Sequence, residues 1–170
     1  MRTTTATSVA LSLTLAAALT ACAPPASPDP SGPPATAGRS PSSDSSRKEN
    51  IVGTTLTFTA GSTVVRATLD EDSPATRSLL AMLPMTLRFS DFGGQEKVAS
   101  PPHRFDYTGS EGMTPEPGVL FSYRPWGNLG FFYRVENPGY SPDLARLGHT
   151  DDVEKIRLLE GREVTIAVGG

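Results

Sequence analysis

The chain has 170 residues, with 15 Lys or Arg against 18 Asp or Glu and a net charge of −3. A mildly acidic chain without a basic run offers little for phosphate neutralisation, which argues against nucleic-acid binding. Its single cysteine, Cys22, excludes intrachain disulfides, iron–sulfur clusters and cysteine-rich zinc sites.

Residues 1–22 open with one basic residue and enter an apolar stretch from Val9 to Leu19, broken only by Ser12 and Thr14. This is a secretory signal layout, too short for an ordinary membrane span. Its end, Leu19-Thr20-Ala21-Cys22, resembles a bacterial lipobox, which implies a diacylglyceryl group on the Cys22 thiol and cleavage of the preceding peptide bond. The expectation is a signal peptide over 1–21 and a lipid anchor at Cys22, holding the protein on the extracytoplasmic face of the cell membrane. Residues 23–50 contain seven prolines and seven serines and almost no large apolar side chains. Such a segment cannot repay the entropy of folding, so 22–50 reads as a lipidated cysteine followed by a disordered tether. Residues 51–170 remain, enough for one small domain.

Within that domain, Leu56, Phe58 and Ala60 alternate with Thr55, Thr57 and Thr59, the period of a half-buried strand. Gly61-Ser62 permits a turn into Thr63 to Leu69, where Val65, Ala67 and Leu69 alternate again, so the two segments predict an antiparallel hairpin. Ser73-Pro74 is a helix opening, and Ala75, Leu79, Met82 and Leu83 place one apolar face on a helix of about ten residues that ends at Pro84. Met85, Leu87 and Phe89 return to strand periodicity until Asp91-Phe92-Gly93-Gly94 breaks it. From Gln95 to Gly118 the chain carries charges, prolines and glycines with little periodicity, which predicts a long loop that is either a functional surface or disordered. Val119 to Arg124 and Leu129 to Val135 are strands, apolar on more than one face and joined by the turn Pro125-Trp126-Gly127-Asn128. Asp151 and Glu154 have capping-box spacing before the helical stripe Val153, Ile156 and Leu159, and a last strand carries Val164, Ile166 and Val168. At least six strands without regular crossover helices disfavour a doubly wound parallel sheet and favour a small closed or nearly closed β-barrel covered by two short helices.

The run Ser122 to Leu129, then Phe131-Phe132-Tyr133, Gly139-Tyr140-Ser141 and Leu147-Gly148-His149, resembles the bacterial cyclophilin-like domain family. The strand end Leu87 to Asp91, Glu96-Lys97 and the helix from Pro74 to Leu83 belong to the same resemblance, which covers nearly all of the domain. It implies a mainly β fold, a small closed cyclophilin-like barrel of about eight strands with two short capping helices. It does not bring a fixed activity, since one fold hosts unrelated functions. Cyclophilin isomerases use an arginine beside an apolar proline pocket in a Phe-His-Arg context, whereas Pro102-His103-Arg104-Phe105 has the His-Arg pair without the preceding phenylalanine.

Arg104 is nonetheless the one candidate donor for a twisted proline amide, with Phe121, Tyr123, Trp126 or Phe132 as an apolar wall. Binding makes a broader demand on the same residues: Tyr123, Trp126 and Tyr133 offer flat amphipathic surfaces, while Glu96, Lys97 and Arg104 add polar contacts from the long loop. His103 and His149, the only histidines, fall in no metal-ligand spacing, and no G-x-S-x-G elbow or phosphate loop is present. Neither a catalytic residue, a cofactor nor a metal is assigned. The resulting expectation is a lipid-anchored binding domain for an unknown peptide, protein or small molecule, without isomerase activity. A peptidyl-prolyl isomerase acting on cell-envelope polypeptides is the alternative.

Overall fold

A computed structural model describes residues 50–169. The signal peptide, Cys22 and nearly all of the tether expected from the sequence lie outside the described residues.

The predicted hairpin forms as β1 (Thr55–Ala60) and β2 (Thr63–Leu69), in the register Leu56 opposite Ala67 and Phe58 opposite Val65. The alternation has the expected consequence: Leu56, Phe58, Ala60, Val65, Ala67 and Leu69 are all fully buried. Helix α1 (Pro74–Ala81) begins as read, with the Ser73 hydroxyl accepting from the Thr76 N–H and the Thr76 hydroxyl accepting from the Ser73 N–H. Strand β3 (Met85–Arg88) follows, then β4 (Ser90–Phe92) and β5 (Glu96–Ala99), which pair with each other around Gly93-Gly94. Strands β6 (Val119–Tyr123), β7 (Leu129–Phe132) and β8 (Leu144–His149) precede the one-turn helix α2 (Val153–Ile156), a 3-10 turn (Arg157–Leu159) and the final strand β9 (Glu163–Val168).

All nine strands form one antiparallel sheet in the order β3-β9-β1-β2-β8-β6-β7-β5-β4. This corrects the closed eight-stranded barrel: among the described residues no ladder joins the two edge strands, β3 and β4, so the sheet remains open. The chain itself passes from one edge to the other through Phe89, which is fully buried. Two short helices are present as expected. The capping box at Asp151 and Glu154 is not used; Asp152 is the N-cap residue of α2, and its carboxylate accepts from the Arg66 N–H and from Lys155.

The stretch read as a loop from Gln95 to Gly118 contains β5, and its remainder is anchored at two buried side chains. Phe105 enters the main core and Met113 a second apolar cluster with Val119, Phe121, Phe132 and Leu144. That second cluster explains why β6 and β7 are apolar on both faces. Leu120, Leu129 and Phe131 fill the main core, whereas Phe121 and Phe132 stack on the opposite face with ring centroids 4.1 Å apart. Gly130 makes room for that stack, because a Cβ there would stand 2.8 Å from Phe121.

Where the sheet fails to close, charge links its margins. Lys97, 2% exposed, places its ammonium 2.6 Å from Asp91 on β4 and 2.6 Å from Glu160, just before β9. The Arg88 guanidinium donates to the Gly161 carbonyl and the Gly161 N–H to the Phe89 carbonyl at the same margin. Burial opposes the Lys97 charge, but the hydrogen bonds to Asp91 and Glu160 outweigh it and hold the ammonium above its ordinary range. Hydrogen bonds from Lys97 and then Tyr133 draw Asp91 down to about 2.

Removing the two carboxylates strands a buried cation, while removing the lysine leaves acids that water reaches. The Asp91→Ala/Glu160→Ala double variant is therefore expected to lose about 3 kcal/mol in urea unfolding, more than Lys97→Met loses. A larger loss for Lys97→Met would contradict this reading of the clasp.

Candidate functional site

Successive residues of a strand point to opposite faces. On β5 this separates neighbours that the sequence grouped together: Lys97 turns into the clasp, and Glu96 turns out, directly opposite Phe132 of β7. A cleft of about 460 Å³ opens on that outer face. The stacked Phe121 and Phe132, 0% and 5% exposed, form its floor.

The turn between β6 and β7 raises its rim. Gly127 adopts φ +64°, a conformation most side chains resist, and its N–H donates to the Tyr123 carbonyl. The Asn128 carboxamide oxygen accepts from the Tyr123 N–H at 2.8 Å, which fixes the loop from inside. Held this way, Trp126 stands 58% exposed between two other rings. Its centroid lies 5.2 Å from Phe92 at an interplanar angle of 85°, and 5.3 Å from Tyr123 at 87°. Two successive right angles make walls of the three rings.

Two polar groups lie among these rings with little compensation. Among the described residues, Glu96 is the only charged one lining the cleft. Burial, and then the Asp91 carboxylate, push its carboxyl up to about 7, and among the described residues no hydrogen bond or ion pair offsets that shift. Asn128 is 5% exposed, and its Nδ2 donor has no hydrogen-bond partner among the described residues. Neutral walls and one poorly solvated acid suit recognition of a polarised ligand.

Of the six sequence candidates, Glu96, Tyr123 and Trp126 meet in the cleft. Lys97 and Tyr133 belong to the clasp instead: the Tyr133 hydroxyl donates to Asp91, and the Lys97 and Arg157 cations lie 5.1 and 5.0 Å from its ring. Arg104 is exposed and donates to the carbonyls of Arg124 and Pro125, at 3.3 and 3.4 Å, outside the cleft lining. Phe121 and Phe132, read as an apolar wall for Arg104, line the cleft without it, whereas Phe92 and Asn128 are site residues that the sequence reading missed. The one sequence signal was the excess of apolar residues on the second face of β6 and β7. His149 lies 3.3 Å from Asp70, and among the described residues no three potential metal ligands gather.

Because the fold raises the Glu96 value, it favours the protonated acid, and the associated stability is present below the ordinary 4.5 and lost as pH rises through about 7. Glu96→Gln should therefore gain melting temperature over the native chain progressively between those two values and hold the gain above them. A difference that is constant with pH would contradict the burial of this carboxyl.

The cyclophilin-like family model matches residues 58–168. No curated protein matches the chain significantly. Among solved structures, the fold is similar to that of the hypothetical protein AF2241 from Archaeoglobus fulgidus, with a TM-score of 0.53 and 16% identity over 71% of this chain and 98% of that one. It is also similar to McbB in complex with tryptophan, with a TM-score of 0.50 and 15% identity over 68% of this chain; the chain spans 44% of McbB. At those identities the likeness is one of fold alone, whereas the family match runs from within β1 to the end of β9 and covers more than half the chain. The chain belongs to the cyclophilin-like family.

Proposed function

We propose that the domain is a binding module whose ligand enters the aromatic cleft between Trp126 and Glu96. The observation that carries this reading is the cleft itself: an apolar floor, an exposed indole on a fixed turn and a carboxyl that folding makes harder to ionise. Burying an acid without a partner costs stability, and such groups concentrate where a ligand supplies the missing interaction. A prolyl isomerase is the weaker reading, because the Arg104 guanidinium rests on two backbone carbonyls and, among the described residues, no cationic donor lines the apolar wall. The lipobox-like end at Cys22 and the Pro/Ser-rich segment after it support a tethered location at the extracytoplasmic membrane face.

Trp126 is the only tryptophan in the chain, so its emission reports directly on the cleft. Titration with a panel of proline peptides, amines, sugars and nucleosides should shift that emission for at least one class. Calorimetry of Trp126→Ala with the same ligand should show affinity lower by about tenfold or more. Silence across the panel, or full affinity in Trp126→Ala, would contradict the assignment. Acceleration of proline cis–trans exchange that disappears in Arg104→Ala would establish the isomerase in its place. For the location, Cys22→Ala should release the protein from the membrane fraction; unchanged partitioning and mass would remove the anchor.

A further inference from the structure

The electrostatics of the cleft are one-sided. Among the described residues, Glu96 carries its only formal charge, and neither Lys nor Arg lines it. The cations nearby in sequence are committed elsewhere: Lys97 to Asp91 and Glu160, Arg134 to Glu136, Arg104 to the two carbonyls of the turn, and Arg124 to the Ser110 carbonyl. The charged and titratable groups around Glu96 add no compensation. Strand β4 brings the Asp91 carboxylate, already bound to Lys97, and β6 brings the Tyr123 phenol. The segment after β7 brings Arg134 and Glu136, which pair with each other, and Glu116 follows the lining residue Pro115 without lining the cleft itself.

Geometry narrows the ligand further. Phe92, Trp126 and Tyr123 meet at right angles, so the faces of adjacent rings border a corner in place of a parallel slot. A corner of aromatic faces beside a carboxylate attracts a cation through both the ring quadrupoles and the opposite charge. An anion would meet Glu96 without a counter-charge, and a neutral flat ligand would use the rings while leaving the acid unpaired.

We propose, resting on the reading of this cleft as a binding site, that it selects an organic cation, a protonated amine beside a flat apolar group. The ammonium pairs with the Glu96 carboxylate within the corner formed by Phe92, Trp126 and Tyr123, and the apolar group covers the Phe121–Phe132 floor. Such a ligand also restores the interaction that Glu96 lacks in the free protein.

The test uses the full chain and two probes of nearly equal shape, phenethylamine and phenethyl alcohol, followed by calorimetry and Trp126 emission. At pH 8 the amine should bind at least about tenfold more tightly than the alcohol, as expected for a desolvated charge pair. Since the amine favours ionised Glu96, its affinity should rise roughly thirtyfold from about pH 5.5 to pH 8, while that of the alcohol stays level. Glu96→Gln, checked for an intact melting transition, should abolish both the preference and the pH dependence. Equal binding of the two probes, or a preference that persists in Glu96→Gln, would overturn the cation assignment and leave the cleft a binding site. A response to peptides but to neither probe would also overturn it, by assigning the cleft to a polypeptide. Silence with these probes and with the whole panel would remove the cleft as a site altogether.

Discussion

The Lys97 ammonium, buried between the carboxylates of Asp91 and Glu160, holds together margins of the sheet that no backbone ladder joins. A lone cation at that depth would be strongly destabilising, and here its two carboxylate partners keep contact with water. The pairing also fixes how β5 sits. Because side chains alternate along a strand, seating Lys97 inward forces Glu96 outward, onto the face where β6 and β7 carry their second set of aromatic residues. Charge that links the margins on one side thus positions an acid in an apolar cleft on the other.

Apolar alternation made much of this fold legible. The hairpin of β1 and β2, the capped helix α1 and strand β9 follow from side chains that recur at the period of the element they form. Strand β5 escaped detection because Glu-Lys-Val-Ala presents two charges in four residues, and its inward member is a lysine whose burial depends on acids elsewhere in the chain. Strand β8 was hidden for a related reason: Arg146 interrupts its apolar pattern, and that charge is answered by Asp70, distant in sequence. Openness of the sheet was beyond sequence reasoning as well. Periodicity tells which face of a strand is buried, but lateral neighbours depend on hydrogen bonds, and β3 and β4 are edges despite being separated by a single residue.

The candidate site divides along the same line. Trp126 and Tyr123 were recognisable as aromatics in and beside a tight turn, and Glu96 as a polar residue in an aperiodic stretch. Lys97 and Tyr133 have similar chemistry but fall on the clasp, and Arg104 spends its donors on the turn that lifts Trp126. Phe121 and Phe132 were legible only as an apolar wall for Arg104, which stands outside the cleft lining. Their role follows from Gly130, whose missing side chain lets them stack beneath the cleft.

A fold that places a carboxyl among phenyl and indole rings, with no counter-charge among the described residues, gives up stability at neutral pH. The most direct measurement is the NMR titration of the Glu96 side-chain carbon in the free protein and with phenethylamine. A half-buried acid that pairs with a cation on binding should titrate near 7 when free and shift downward when the amine binds. A midpoint at the ordinary 4.5, unmoved by the amine, would contradict both the burial of Glu96 and its part in recognition.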